Sequence, residues 1–276
     1  MNLHENYLRL KQQAYENLSQ KGRSTRPWVA MLESTPILLG QERSRLLLAV
    51  NTGMRLLDDI ADGDMPPPEN HSRIAYLEQK HAFVREPFYP QDEIDLLFTY
   101  CYEQSAKVGI DISEELDAFF QYFLFDANRL RTGKVFTKEE LEKAYDNCDI
   151  FGTIKGCLKL FGDDPEKYDL LVPLGRATRT YYTMRDWNED IAAGFVNIPV
   201  EDMARLGVQY DELSDISSPG IQTWFHEQAT YGLDLLDKHK NNMAVGNFKL
   251  LGRLALPIAY EKPARGYFEN VLGVKA

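Results

Sequence analysis

Apolar residues recur at steps of three and four along most of the chain, the spacing of one face of an α-helix. One stripe over about four turns consists of Leu47, Val50, Met54, Leu57 and Ala61. Similar patterns predict helices at 91–107, 113–131, 138–160, 167–193 and 219–240, and from about 243 to 260. Alternating strand patterns with hairpin turns are hard to find. The sequence therefore predicts an all-α fold.

The predicted helices are separated by turn-forming segments such as Gly63–Pro68, and Thr137 and Glu140 have the spacing of a capping box at a helix start. No composition shift, internal repeat or long linker marks a domain boundary. We therefore expect residues 1–276 to form a single helical domain, with the N-terminal helix within 1–25 at its periphery.

The net charge and the cysteine content limit which partners and which cellular compartment are expected. Lys and Arg number 31 against 42 Asp and Glu, a net charge of −11, which argues against a nucleic-acid partner. Cys101, Cys148 and Cys157 lack metal-ligand spacing and indicate a reducing compartment. Neither a signal-peptide core nor a stretch long enough to cross a bilayer is evident. We expect a cytoplasmic protein.

Two acidic clusters, at 55–62 and 185–190, each contain Asp-x-x-x-Asp. The pairs are Asp58 with Asp62 and Asp186 with Asp190. On a helix, residues four apart lie on one face, one turn apart. With 42 acidic residues in 276, several such pairs arise by chance. Spacing alone therefore also fits a solvated helix face.

The position of each pair on its helix favours a cation site. Asp58 lies roughly 20° from Leu47, within the apolar stripe, and the second pair shares one stripe with Arg179 and Tyr182. Buried carboxylates are costly unless a cation completes them. Carboxylate oxygens without His or Cys favour Mg²⁺, which prefers to share a phosphate-bearing ligand. The hypothesis is a Mg²⁺ site that binds a diphosphate.

At these residues the sequence resembles the squalene/phytoene synthase family. The first family motif, Arg-x-x-Asp-Asp-x-x-Asp, is met by Arg55, Asp58, Asp59 and Asp62. The second, Arg-Asp-x-x-Glu-Asp followed by Gly and Ile/Leu-Pro, is met by Arg185, Asp186, Glu189, Asp190, Gly194 and Ile198-Pro199. Phe123–Asp126 and Thr137–Leu141 are similar to a weaker middle motif.

The resemblance implies a helical bundle of the isoprenoid synthase type around a deep central cavity. It implies a Mg²⁺-dependent prenyltransferase that condenses two prenyl diphosphates (farnesyl or geranylgeranyl) head to head, with loss of diphosphate. The catalytic, metal-binding residues would be Asp58, Asp62, Asp186 and Asp190, holding three Mg²⁺ ions. The substrate-binding residues would be Arg55, Asp59, Arg179, Tyr182 and Arg185. Release of an apolar product would be compatible with a transient contact between the protein and a membrane. The resemblance does not define the oligomeric state.

The chain departs from the family pattern near the second motif. Arg179 and Tyr182 stand where the family usually has Gln and Asn, and Phe195 and Asn197 stand in its Gly-Arg-x-Tyr. These changes keep two alternatives open: a class I terpene cyclase or a prenyltransferase with a non-prenyl acceptor, and a catalytically silent isoprenoid-binding protein. Arg55 and Arg185 either bind diphosphate or pair with their own aspartates. The roles of Asp126, Asp146 and Asp149 are also open.

Overall fold

The computed structural model describes residues 2–20, 26–68, 71–249, 253 and 256–274, and within them the chain is helical without a β-strand. This confirms the predicted all-α class. The α-helices are α1 (Leu3–Gln20), α2 (Arg26–Leu39), α3 (Gln41–Ala61), α4 (Arg73–Arg85), α5 (Glu93–Val108), α6 (Ser113–Arg129), α7 (Lys138–Ala144), α8 (Phe151–Phe161), α9 (Tyr168–Arg185), α10 (Trp187–Ala193), α11 (Val200–Leu206), α12 (Pro219–Val245) and α13 (Lys262–Val271).

Two predicted helices are interrupted. The pattern at 138–160 is divided by a π-helical turn, Tyr145–Ile150, and the pattern at 167–193 is divided at Asp186. A second π-turn spans Pro257–Glu261, and 3₁₀ turns span Pro165–Lys167 and Tyr210–Glu212. The helix predicted at 243–260 lies partly outside the described residues. Periodicity missed both interruptions because the apolar spacing continues through each of them.

The predicted capping box at the start of α7 is confirmed. The Glu140 backbone N–H donates to Thr137 Oγ1 at 3.2 Å, and the Thr137 N–H donates to Glu140 Oε2 at 2.8 Å. Two backbone N–H groups that have no partner within the helix are thereby satisfied.

The chain divides into two compact units, Met1–Ala127 with Lys159–Phe161 and Asn128–Leu158 with Gly162–Ala276. Each unit is described by itself, and the single domain over 1–276 stays a prediction. In the first unit α3 is central and packs against α1, α2, α4 and α5. The N-terminal helix α1, expected at the periphery, packs against α3 and α5, and its Tyr7, Leu10 and Ala14 are buried.

A fully buried lysine joins α4 to α5. Lys80 Nζ lies 2.7 Å from Asp95 Oδ1 and 2.8 Å from Asp92 Oδ2, and the Lys80 side chain has no exposed surface. The Tyr76 hydroxyl donates to Asp92 Oδ2 at 2.9 Å, and the Gln91 N–H donates to Asp95 Oδ2 at 2.8 Å. Buried charges are tolerated only when paired and hydrogen-bonded in this way.

In the second unit the long helix α12 packs along α9 and also contacts α11 and α13. Trp187 is buried there among Trp224 and Phe225, with ring centroids 5.4 Å away in each case. The Trp187 indole N–H donates to the Leu213 carbonyl at 3.0 Å. Trp187, which follows the second Asp motif, is therefore part of the hydrophobic core.

His239 of α12 is fully buried, and neither ring nitrogen has a hydrogen-bond partner among the described residues. Glu261 Oε2 is 3.9 Å from its Nε2. Burial, with the positive charge of Arg265 as a smaller cause, lowers the pKa of His239 to about 4. The unfolded chain, with an ordinary His pKa of about 6.5, binds a proton that the folded chain excludes. Stability is therefore lost as the pH falls from 6.5 towards 4.

We expect this histidine to remove about 2 kcal/mol from the free energy of unfolding between pH 7 and pH 5. The variant His239→Leu should flatten the dependence of unfolding free energy on pH in that window, as measured by urea denaturation. His226→Leu, at an exposed position of the same helix, is the control and should keep the parent slope. Parallel slopes for parent and His239→Leu would contradict the assignment.

Candidate active site

One face of α3 is half-buried, although most of the helix after its first two turns is packed in the core. The half-buried residues on this face are Leu47, Val50, Asn51, Arg55, Asp58 and Asp62. Fully buried residues of the same helix include Leu46, Leu56, Leu57 and Ile60. The Asp62 N–H donates to the Asp58 carbonyl at 2.9 Å, which sets the two residues one turn apart. This face thus begins with the apolar Leu47 and Val50 and ends with two carboxylates at the C-terminal end of α3.

The other members of the first motif have separate partners. Arg55 Nη1 lies 3.2 Å from Asp58 Oδ2, so this arginine pairs with an aspartate of its own motif. Asp59 is the buried carboxylate of the group, only 3% exposed, and Asn17 Nδ2 of α1 donates to its Oδ2 at 3.0 Å. Asn17 was not predictable from the motif, because it lies 42 positions away along the chain.

The second motif spans the junction of α9 and α10. Asp186 has φ −94° and ψ 9°, a bridge-region conformation that often occurs at active-site residues. The Asp186 N–H donates to the Tyr182 carbonyl at 2.9 Å, and the Asp190 N–H donates to the Asp186 carbonyl at 2.8 Å. The two aspartates therefore remain one turn apart across the interruption. Asp186 and Asp190 share a half-buried face with Val172, Gly175, Arg179 and Tyr182.

Arg185 makes a two-point ion pair with the neighbouring Asp186. Its Nε donates to Oδ1 at 2.7 Å and its Nη2 to Oδ2 at 2.5 Å. The guanidinium also lies over the rings of Tyr182, at 4.6 Å, and Tyr181, at 5.2 Å. Burial alone would lower the pKa of Arg185, but the hydrogen bonds and charge of Asp186 outweigh it and raise that pKa. Arg185 is a permanent cation beside this carboxylate.

Arg179 lies against the π-turn that precedes α8. Its guanidinium is 4.2 Å from the Tyr145 ring centroid, and its Nη1 is 3.9 Å from Asp149 Oδ2. A Cβ at Gly175 would lie 2.5 Å from Ile150, so glycine at this position of α9 permits the close approach of the turn. Arg179 thus forms an ion pair with a residue of the turn.

The neighbouring aspartates have distinct environments. Asp146, also in the π-turn, forms a two-point ion pair with Arg176, at 3.1 and 2.6 Å. Asp126 of α6 belongs to the first unit and is buried, with 5% of its surface exposed.

The Asp190 carboxylate is bonded by Asn197, which is in turn bonded by residues that lie far from it in sequence. Asn197 Nδ2 donates to Asp190 Oδ2 at 2.7 Å. Asn197 Oδ1 in turn accepts hydrogen bonds from Arg129 Nη1, at 2.8 Å, and from the Tyr145 hydroxyl, at 2.9 Å. Arg129 and Asn197 are both buried. Of these, Asn197 is marked in the sequence only by its departure from the family pattern, and no sequence signal marks Arg129.

The donor chemistry fits Mg²⁺ better than a softer metal. In the part of the chain that the structure describes, no three Asp, Glu, His or Cys side chains converge as a ready metal cage. Each motif instead supplies a carboxylate pair. Mg²⁺ is commonly held by one or two carboxylates, with water and substrate phosphate as the other ligands. Each pair therefore suits an ion that arrives with a phosphate-bearing ligand.

An all-helical fold with two such carboxylate pairs agrees with the class that the sequence resemblance implied, the isoprenoid synthases. The model of the squalene/phytoene synthase family matches residues 35–268, and the chain belongs to this family. The predicted family and fold type are thus confirmed. Membership implies a prenyltransferase that joins prenyl diphosphates head to head.

Two solved structures share this fold over almost the whole chain. Squalene synthase HpnC from Alicyclobacillus acidocaldarius is 18% identical, with a TM-score of 0.67, over 98% of this chain and 93% of its own. A dehydrosqualene synthase, solved in complex with a ligand, is also 18% identical, with a TM-score of 0.65, over 98% of this chain and 87% of its own. A search of curated proteins found no match. None of the helices in the described ranges has both the length and the apolar character needed to span a bilayer.

Proposed function

We propose that this protein condenses two molecules of farnesyl or geranylgeranyl diphosphate head to head, with loss of diphosphate, in a Mg²⁺-dependent reaction. The observation that carries the proposal is the half-buried face of α3. Its apolar part suits a prenyl chain, and its carboxylates suit the charged end of the same molecule. Membership of the squalene/phytoene synthase family supports the same substrate class.

The four motif aspartates would hold the Mg²⁺, which would take up negative charge as the diphosphate leaves. Asp58 and Asp62 provide one carboxylate pair, and Asp186 and Asp190 provide the other. Oxygen donors of this kind suit a hard divalent ion. Removal of the ion with a chelator should therefore stop diphosphate release.

The remaining site residues would bind the diphosphate and shelter the allylic cation. Arg185 is a permanent positive charge next to the second motif, and Arg55 occupies the equivalent place beside Asp58. Each can exchange part of its ion pair for a diphosphate oxygen. Tyr182 is half-buried on the same face as Asp186, so its ring can stabilise a carbocation through its π face.

Arg179 favours a second candidate, an enzyme of the same fold that cyclises one chain or transfers it to a non-prenyl acceptor. The family usually has an uncharged amide at this position, whereas here a guanidinium lies on Tyr145 and near Asp149. A cation in this place changes what can lie beside the first substrate. The two candidates share the ionisation step and differ in the acceptor.

Product analysis with counted diphosphate separates these functions. The purified protein is incubated with Mg²⁺ and, separately, with geranyl, farnesyl and geranylgeranyl diphosphate, and parallel samples contain EDTA. We expect a doubled-chain product with at least one of them and no diphosphate release with EDTA. Single-chain products would favour cyclisation or another acceptor, and no release with any substrate would contradict both enzymatic functions.

A further inference from the structure

Asn197 hydrogen-bonds to the Asp190 carboxylate through a side-chain amide whose orientation is fixed by its other partners. Two donors, Arg129 Nη1 and the Tyr145 hydroxyl, converge on Asn197 Oδ1. The amide nitrogen must therefore point the other way, where it donates to Asp190 Oδ2 at 2.7 Å. Asn197 is 5% exposed and Arg129 is 3% exposed, so solvent competes little with these bonds.

Backbone contacts fix Arg129 relative to Asn197. The Arg131 N–H donates to the Ala193 carbonyl at 2.9 Å, and the Val200 N–H donates to the Phe136 carbonyl at 2.9 Å. Gly194, with φ +88°, lets the two segments meet, because a Cβ there would lie 2.8 Å from Arg131 Cα. The segment after α6 and the segment after α10 are thus joined on both sides of Asn197.

Arg129 and Tyr145 also supply the two side-chain types that positions 195 and 197 lack relative to the family pattern. That pattern has arginine and tyrosine where this chain has Phe195 and Asn197. Here the Arg129 guanidinium lies 4.9 Å over the Phe195 ring, and the Tyr145 hydroxyl bonds to Asn197. A guanidinium and a phenol are therefore present at this place, supplied by α6 and by the π-turn.

We propose that Arg129, Tyr145 and Asn197 are positioning residues that orient the Asp190 carboxylate for the metal–diphosphate complex. This inference rests on the proposed function, since it assigns Asp190 to metal binding. Groups that hydrogen-bond to a metal-binding carboxylate fix its direction, and their loss commonly weakens metal affinity or activity about 10- to 100-fold. Asn197 is the member that touches Asp190, and the other two act through it.

The test is Asn197→Asp, which keeps an oxygen for Arg129 and Tyr145 but cannot donate to Asp190 as an ionised carboxylate. Binding of Mn²⁺ with inorganic pyrophosphate is measured by electron paramagnetic resonance, without turnover. We expect affinity about tenfold or more below that of the parent, with an unchanged circular dichroism spectrum. Arg129→Met should weaken binding in the same direction. Lys143→Met, which removes a cation at an exposed position of α7, is the control and should bind as the parent does.

Asp190→Asn distinguishes failure of this inference from failure of the proposed function. If Asp190→Asn weakens binding but Asn197→Asp binds as tightly as the parent or more tightly, the positioning role is wrong and the metal assignment stands. If Asp190→Asn itself binds like the parent, the metal assignment fails and the positioning role fails with it. A loss in both variants supports the proposal.

Discussion

Asp58→Ala and Asp186→Ala should each abolish Mg²⁺-dependent diphosphate release, with a rate about 10³-fold or more below the parent. Each change removes one carboxylate of a pair that sits one turn apart at the end of a half-buried face. Without that carboxylate, Mg²⁺ would no longer be held where it neutralises the charge of the departing diphosphate. Such neutralisation stabilises the transition state by several kcal/mol. The measurement is diphosphate release from farnesyl and geranylgeranyl diphosphate at saturating Mg²⁺.

Matched controls lie on the helices that carry these aspartates. Glu42→Gln removes an exposed carboxylate from the first turn of α3, and Asp169→Asn does so in α9. Both controls should release diphosphate at the parent rate, and all four variants should keep the parent far-ultraviolet circular dichroism. Activity that survives both alanine changes would show that the metal assignment is wrong.

Lys80→Met should produce the largest loss of stability, about 3–5 kcal/mol in the free energy of unfolding. The change leaves Asp92 and Asp95 without the ammonium group that lies 2.8 and 2.7 Å from them. Asp95 has no exposed side-chain surface, so water cannot replace the lost cation without rearrangement. Urea denaturation followed by circular dichroism measures the effect.

Lys107→Met, at an exposed position near the end of α5, is the control for the loss of a lysine and should change stability by no more than about 0.5 kcal/mol. Adding Asp92→Asn and Asp95→Asn to Lys80→Met should recover part of the loss, because the buried charge of Asp95 and the half-buried charge of Asp92 are then removed. A Lys80→Met variant as stable as the parent would contradict the assigned burial of this charge.

The helical class was predictable because apolar spacing reports on one helix at a time. The stripe at 47–61 correctly located α3, but the most buried motif residue is Asp59, not Asp58. Angular position on a single helix cannot show that α3 is packed on several sides. Its half-buried face is therefore the one that packing leaves partly open, and Leu47, Asp58 and Asp62 lie on it.

The partners of the site residues were not predictable from local pattern. Asn17 reaches Asp59 from α1, and Arg129 reaches Asn197 across 68 positions of sequence. Hydrogen bonds between residues so far apart in sequence depend on how the helices pack. The periodicity of apolar residues carries no information about that packing. Asn197 was nevertheless noticeable as a departure from the family pattern.

The joining of two prenyl chains is tested most directly by an isotope-mixing experiment. The enzyme is incubated with equal amounts of unlabelled and fully deuterated prenyl diphosphate, of the chain length that it uses best. The mass of the product is determined by mass spectrometry. Head-to-head condensation predicts three groups of product masses, light–light, mixed and heavy–heavy, of which the mixed group is the most abundant. Masses within the mixed group differ only by whether the chain that loses a proton is light or heavy. Only two masses, each of a single chain, would contradict the proposed condensation.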